Sequence, residues 1–381
     1  MVFVRLITSL LRDKKIGKNI VPIVPDEART FGMDGLFRQF GIYSREGQKY
    51  QPEDADKVMW YRESKDGVML EEGINEAGAF SAWIALATSY ANNSLPMIPF
   101  YIYYSMFGFQ RIHDLAWAAG DSRAKGFLLG ATSGRTTLNG EGLQHQDGHS
   151  HILAATIPNC RSYDPCYSYE LSAIIQEGIN DMYVNGNDRY YYITLMNENY
   201  SHPAKPKQLK NEEILKGAYK LKENKNMNLR ILASGVTLNF ALEAEKELKN
   251  YDINADIWSI TSFNELYREG IEIERQNRLN STSKKSYVEN CFSDQMPTIA
   301  VSEYQKAFPN QIREWINGEY KILGTDGFGR SDTREELRDF FEISKEHIVL
   351  NSLLLLGKKK EAEKFIKDSG MVLSKEAPWK S

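Results

Sequence analysis

The sequence predicts an α/β protein built from two open-sheet domains. Along its 381 residues, short apolar runs alternate with stretches of helical periodicity, and the alternation continues on both sides of a charged, proline-containing segment, HPAKPKQLKNEE, that begins at His202. Alternation of strands with helices is typical of open sheets with crossover helices. Because a proline-containing charged stretch is typical of a linker, we place one domain at residues 1–209 and a second, smaller one at residues 210–381.

The first domain is expected to open with an amphipathic helix, in which Val4, Ile7, Leu10 and Leu11 recur at helical spacing. This segment does not read as a secretory signal, because its basic cluster follows the apolar residues. The strands expected next are Ile20 to Val24, Met97 to Tyr104, Gly126 to Thr132 and Arg189 to Met196. The helices expected between them are Asn75 to Tyr90, Gly108 to Ala119 and Cys166 to Val184.

The second domain repeats the same alternation. Its expected strands are Arg230 to Ala233, Ala255 to Ile260, Thr298 to Ser302 and Tyr320 to Gly324. Helices are expected at Asn239 to Leu248 and Thr333 to Phe341, and a polar loop at Arg278 to Tyr287. The segment GTDGFGRSD, which begins at Gly324, lies between a strand and a helix and reads as a tight turn, since it lacks the full order of a phosphate-binding loop.

Composition excludes several classes of function. A formal charge of -4 lacks the basic footprint of a nucleic-acid binder. No apolar run approaches the roughly 20 residues of a membrane span. Three cysteines without paired short spacings predict neither a disulfide framework nor a structural zinc site, so we expect a cytoplasmic protein.

The densest polar and aromatic residues lie between positions 71 and 151. Glu76 begins an apolar helix, NEAGAFSAWIALA, where its carboxylate either caps the helix or shares a proton with a nitrogen heterocycle. The run FYIYY that ends at Tyr104, followed by Phe107, forms either a buried strand or a wall for a flat ring.

Two further patterns in this region invite a metal interpretation. HQDGHSH contains three histidines and an aspartate, from His145 to His151, but its glycine indicates a turn and no second ligand cluster accompanies it. We favour proton transfer or anion recognition by histidine there, and we predict no metal site. Asp66-Gly67 and Asn92-Asn93 imitate a GDG…NN magnesium-diphosphate signature, yet Lys65 replaces the first glycine and the helix of Glu76 intervenes.

Longer stretches carry a resemblance. VPDEARTFGMDGLFRQFGIYS, EEGINEAGAFSAW, PMIPFYIYYSMFGFQRIHDLAWAAGD, GFLLGATSGRTTLNGEGLQHQDGHSHI and IPNCRSYDPCYSYE resemble the decarboxylating component of homodimeric bacterial pyruvate dehydrogenase. The similarity resumes in SITSFNELYREG and YKILGTDGFGRSDTREELRDFFEI. One departure is HQDGHSH, where a glutamate more usually follows the first histidine.

The resemblance implies a transketolase-like pyrimidine-binding domain followed by a transketolase carboxy-terminal-like domain. The family also has a diphosphate-binding domain upstream, which holds magnesium, and we expect that domain to be absent from these residues. It further implies thiamin diphosphate as cofactor and pyruvate as substrate. The implied partners are a second copy or a complementary diphosphate-domain subunit, and the lipoyl-bearing acetyltransferase of a multienzyme complex.

Site residues follow from the resemblance, position by position. It implies that Glu76 hydrogen-bonds the aminopyrimidine ring of the cofactor, that Phe107 packs on this ring and that Ile74 lines the same pocket. Tyr104 and His145 match positions near the substrate. The remaining two implied residues, at the edge of the active site, are Asp26 and Glu27.

Three hypotheses for function therefore stand. The first is a portion of the pyruvate dehydrogenase decarboxylating component, inactive as the isolated chain. The second is a catalytically silent scaffold that associates with full-length subunits. The third, a metal-dependent hydrolase built on HQDGHSH, requires a bound metal ion. A transketolase-like sugar transfer is conceivable on fold grounds alone, but the quoted stretches match the pyruvate enzyme much more closely.

Overall fold

The computed structural model describes residues 2–25, 28–373 and 375–380, which form two compact units. The first unit contains the chain up to Thr132, together with Leu153–Arg161 and Ile174–Leu195. The second contains Ser133–Ile152, Ser162–Ala173 and the chain from Met196 onward. Because the chain passes between the units several times, the single boundary at residue 209 stays a prediction.

The amino-terminal half of the chain forms a six-stranded sheet with the strand order β4-β1-β5-β6-β8-β7. Its strands, with the short pair β2 and β3, are β1 Ile20–Val24, β2 Ile42–Tyr43, β3 Glu63–Ser64, β4 Leu70–Glu71, β5 Ile98–Tyr104, β6 Phe127–Ser133, β7 Cys160–Tyr163 and β8 Tyr190–Met196. The helices are α1 Val2–Leu11, α2 Asp34–Phe40, α3 Glu76–Ala87, α4 Ser89–Asn92, α5 Gly108–Asp121, α6 Ser150–Ala155 and α7 Ser168–Ile179.

β1, β4, β5 and β6 pair in parallel, so the carboxyl ends of these strands meet at one edge of the sheet. Every residue of β5 and β6 is buried, as expected for central parallel strands covered on both faces. The core on one face is largely aromatic. Trp83 of α3 stacks on Phe80 with ring centroids 5.0 Å apart, and its indole Nε1 donates to the carbonyl oxygen of Phe127 at 3.2 Å.

The carboxy-terminal half forms a five-stranded sheet with the order β13-β12-β10-β11-β9. Its strands are β9 Ala218–Lys222, β10 Leu229–Ala233, β11 Ala255–Ile260, β12 Thr298–Val301 and β13 Tyr320–Leu323. Its helices are α8 Asn211–Leu215, α9 Thr237–Leu248, α10 Phe263–Asn280, α11 Tyr287–Phe292, α12 Ala307–Asn310, α13 Arg334–Phe340, α14 Lys345–Leu355 and α15 Lys359–Ser369. Only β9 runs antiparallel among the paired strands described.

The predicted α/β class with two open sheets is confirmed, and all eight expected strands occur within about one residue of their expected ends. The amphipathic first helix is also present, but its buried face contains Phe3, Ile7 and Leu11, whereas Val4 and Leu10 are only half-buried. Within the described residues, no helix is long and apolar enough to cross a membrane.

Several element boundaries were wrong. The helix expected through Tyr90 ends at Ala87, and the one expected over Cys166 to Val184 spans Ser168–Ile179 before a π-helical turn. The expected polar loop begins later, because α10 continues to Asn280. β9 was missed because it is an edge strand with only Ala218 and Tyr219 buried, and its lysines are typical of edges that discourage further pairing.

We expect Trp83→Ala to lower the free energy of unfolding by about 3–5 kcal/mol, because the change leaves a large cavity and removes the donor to Phe127. Urea unfolding followed by circular dichroism measures the effect. Trp117→Ala is the matched control, since that side chain is 49% exposed, and its effect should stay within about 1 kcal/mol. Equal losses in the two variants would contradict the packing described.

Candidate active site

Glu76 is the first residue of α3, at the edge where the parallel strands end. The helix begins there because the Asn75 side chain accepts a hydrogen bond from Gly78 N at 3.0 Å and caps the first turn. Apolar residues behind it, Phe80 and Trp83 among them, fix the helix on the core. The Glu76 residue is only 8% exposed, so its carboxylate is held in a largely buried position where the helix dipole favours an anion.

A partner that sequence reasoning missed, Arg111 of α5, compensates this carboxylate. Its Nη1 lies 2.5 Å from Oε1 of Glu76, and its Cζ lies 4.2 Å from the centroid of the Phe107 ring. The guanidinium therefore joins the acid to the aromatic ring that precedes α5. The available signal was an arginine four residues after Phe107, at the end of the aromatic-rich stretch PFYIYYSMFGFQR.

The aromatic residues after β5 form a small cluster beside this pair. Tyr104 ends the strand, and its ring centroid lies 5.8 Å from that of Phe107 and 5.4 Å from that of Phe31. FYIYY is thus a buried strand, as its composition indicated, while Phe107 is only half-buried. Ile74 is 71% exposed two residues before Glu76, so it makes little contact with the core of its own unit.

Asp26 and Glu27 lie outside the described residues. His145 lies in the other compact unit, where it ends a short 3-10 helix, Leu143–His145. Its ring is half-buried, and its Nδ1 is 3.3 Å from the carbonyl oxygen of Gly142.

The other polar residues of HQDGHSH have separate structural contacts. Asp147 accepts hydrogen bonds from the backbone N–H groups of His149 and Ser150, at 2.9 and 3.0 Å, which caps α6. His151 is fully buried, stacked on Phe308 and edge-on to Tyr304, each with ring centroids 4.7 Å apart. In the part of the chain that the structure describes, no three His, Cys, Asp or Glu side chains are grouped to hold a metal ion.

Solved structures define the class of fold. Transketolase from Campylobacter jejuni matches with a TM-score of 0.67 at 17% identity, over 92% of this chain and 46% of that chain. Transketolase from Leishmania mexicana matches with a TM-score of 0.67 at 16% identity, over 96% of this chain and 45% of that chain. A split-gene transketolase, described as an inactive tetramer of four beta chains, matches with a TM-score of 0.60 at 15% identity. The match covers 91% of this chain and 94% of that chain. The fold is therefore transketolase-like.

The sequence specifies a family within this class. Residues 1–203 match the pyruvate dehydrogenase E1 component middle domain, and residues 217–344 match the transketolase-like carboxy-terminal domain. The pyruvate dehydrogenase E1 component of Pseudomonas aeruginosa is 58% identical over 95% of this chain and 42% of that protein. That of Escherichia coli K12 is 52% identical over 95% and 41%.

This chain belongs to the pyruvate dehydrogenase E1 component family, which confirms the resemblance seen in the sequence. It spans about two fifths of the length of the curated relatives it matches.

Burial lowers the pKa of His151 to about 3, far below the ordinary value of an exposed imidazole. As the pH falls below about 6.5, His151 becomes protonated in the unfolded chain but stays neutral in the folded chain. This difference lowers the free energy of unfolding by up to about 1.4 kcal/mol per pH unit. We expect His151→Phe to flatten the loss of unfolding free energy between about pH 6.5 and pH 5. Urea titrations across that range measure the slope.

The control for this titration is His113→Phe, a histidine on α5 whose Nε2 contacts Thr156 in an exposed hydrogen bond. Because His151 remains in that variant, the loss of unfolding free energy between about pH 6.5 and pH 5 should persist. An unchanged slope in His151→Phe would show that the buried histidine does not contribute to acid sensitivity.

Proposed function

We propose that this chain supplies the pyrimidine-binding half of the active site of a pyruvate dehydrogenase E1 component. The reaction is decarboxylation of pyruvate with thiamin diphosphate, followed by acetyl transfer to a lipoyl group. The observation that carries the proposal is the buried carboxylate of Glu76 at the amino end of α3, in a chain 58% identical to such a component.

The free oxygen of Glu76 fits a pyrimidine nitrogen. Arg111 engages Oε1, and within the described residues Oε2 makes no hydrogen bond. A carboxylate fixed in this way presents one acceptor in a known direction, which is what a ring nitrogen that carries or receives a proton requires. The salt bridge therefore orients the acid and leaves its second oxygen for the ligand.

Flat apolar surface surrounds this acceptor. Phe107 is half-buried beside Arg111, and Ile74 is exposed on the loop that leads into α3. We propose that both pack against the pyrimidine, which explains why an isoleucine stands exposed beside a buried acid. Tyr104 and His145 would orient the carboxylate of pyruvate and stabilise developing charge, and Asp26 and Glu27 would lie at the edge of the site.

Thiamin diphosphate, when bound, supplies an electron sink for the two-carbon fragment. The role of this chain is narrower: Glu76 holds a proton at a ring nitrogen, Phe107 and Ile74 exclude water from the ring, and His145 and Tyr104 hold the substrate. These roles are binding, orientation and proton transfer, which side chains of these types perform well.

The diphosphate end of the cofactor and its magnesium ion would be held by a separate diphosphate-binding domain. The proposed assembly is a homodimer or a complex with a complementary subunit, in contact with the lipoyl-bearing acetyltransferase, in the cytoplasm. The proposed division of this chain is a pyrimidine-binding domain to residue 209 and a carboxy-terminal domain from residue 210. An isolated copy should bind the cofactor weakly and have no turnover.

The test is release of carbon dioxide from pyruvate, measured with thiamin diphosphate and magnesium present. We expect none from the chain alone, and turnover after addition of the diphosphate-binding domain of a related E1 component. Glu76→Gln should then reduce kcat roughly 10²- to 10⁴-fold, because proton transfer at the ring is lost. The matched control is Glu335→Gln, an exposed acid in the first turn of α13, and its rate should equal that of the parent chain.

Absence of decarboxylation in every combination, with cofactor binding also absent, would favour the scaffold hypothesis. Full activity in Glu76→Gln would contradict the role of the carboxylate while leaving the reaction itself intact.

A further inference from the structure

We propose that the glycine-containing loop at residues 324–332, here called the latch, positions His145 for the reaction. The loop at residues 138–146, here called the histidine loop, carries that imidazole. Both loops belong to the second compact unit, so the contacts between them are internal to it. The inference deepens the proposed function and rests on it for the role of His145.

Three hydrogen bonds join the two loops on either side of His145. Gly140 N donates to the carbonyl oxygen of Asp332 at 3.2 Å, and the Ser331 hydroxyl donates to the carbonyl oxygen of Glu141 at 2.7 Å. On the far side, Arg330 N donates to Oε1 of Gln146 at 2.8 Å. Each bond links residues about 190 positions apart in the chain, so the latch fixes a loop that local sequence alone would leave adjustable.

Gln146, directly after His145, is the central contact. Its side chain is fully buried, accepts from the latch at Oε1 and donates from Nε2 to the carbonyl oxygen of Leu138 at 3.2 Å. Its own carbonyl oxygen accepts from Nη1 of buried Arg135 at 3.0 Å. A buried amide with both ends engaged holds its backbone in one place, and with it the adjacent imidazole.

Close approach at Gly329 makes the latch specific. A Cβ atom at this position would lie 2.4 Å from the carbonyl oxygen of Leu143 and 2.9 Å from Oε1 of Gln146. Leu143 opens the short 3-10 helix that ends at His145. Only glycine therefore allows the latch to rest on the turn that carries the imidazole.

The contacts of the latch favour this positioning role over the phosphate binding that its glycines suggest. Its backbone N–H at Arg330 is already used by Gln146, and Gly329 is occupied by the histidine loop. The side chain of Phe328 has 77% of its surface exposed and is not buried against the histidine loop. The contacts of Gly329, Arg330 and Ser331 described above are all with the histidine loop.

The experiment observes His145 directly in the chain as it exists. The chain contains six histidines, so ring signals from histidine labelled with ¹³C are few, and the His145→Gln spectrum identifies the signal of interest. We expect Gly329→Ala and Ser331→Ala to shift or broaden that signal. The His113 signal, from the first compact unit, should not move.

In the assembly that decarboxylates pyruvate, Gly329→Ala should lower kcat roughly 10- to 100-fold and change KM little, because misplacement of about 1 Å weakens transition-state contacts more than binding. Gly35→Ala is the matched control, since a Cβ there meets only the sulfur of Met59 at 3.9 Å. Both of its readouts should match those of the parent chain.

An unchanged His145 signal in both latch variants would overturn the proposal, as would a shifted signal with unchanged kcat. Should Gly329→Ala fail to fold, Ser331→Ala decides, because it removes one hydrogen bond and adds no atoms. Normal turnover in His145→Gln would count against the role of the imidazole in the proposed function, and the same result would overturn positioning of His145 for catalysis. If the assembly with the unsubstituted chain shows no turnover, the proposed function fails, and the ¹³C signal of His145 still shows whether the latch positions that ring.

Discussion

The salt bridge between Glu76 and Arg111 is the interaction on which the proposed site depends. A buried carboxylate is costly unless charge and hydrogen-bond donors compensate it, and here the amino end of α3 and one guanidinium do so. The two residues lie 35 positions apart in the chain and on different helices, so both helices must be held firmly on the same sheet. Trp83 fixes α3 by reaching β6, and Gly108 lets α5 begin directly against the ring of Tyr103.

That arrangement also explains why the proposed site lies at the carboxyl edge of the first sheet. β5 ends at Tyr104, the aromatic residue Phe107 follows at once, and α5 then returns Arg111 toward Glu76. In open parallel sheets, the strand ends are where side chains can leave the packed core without disturbing it. The acid, the aromatic ring and the cation thus meet because the strand register brings them there, and no loop of unusual length is required.

How far the sequence predicts this molecule depends on whether a feature is local. Central parallel strands such as β5 are continuous apolar runs, and α3 has a clear capping residue, so both could be read from a few neighbouring positions. β9 could not, because only Ala218 and Tyr219 of its five residues are buried. Arg111 was missed for a different reason: its partner is identified only once two helices pack together. The contact of Gln146 with Arg330, 184 positions apart, is likewise a property of the folded chain.

HQDGHSH shows how one dense polar segment divides into separate roles when the chain folds. Asp147 caps a helix, His151 enters an aromatic cluster and Gln146 contacts the latch, so their polar atoms turn inward in different directions. Half-buried His145 directly precedes these residues, at the end of a short 3-10 helix. Its neighbour Gln146 joins this turn to the latch. A metal site needs its ligands to converge on one point, whereas the residues that follow His145 in this segment make separate structural contacts. Proximity in sequence therefore identified a dense polar segment, but the chemistry that the segment can perform follows from which side chains the fold leaves available.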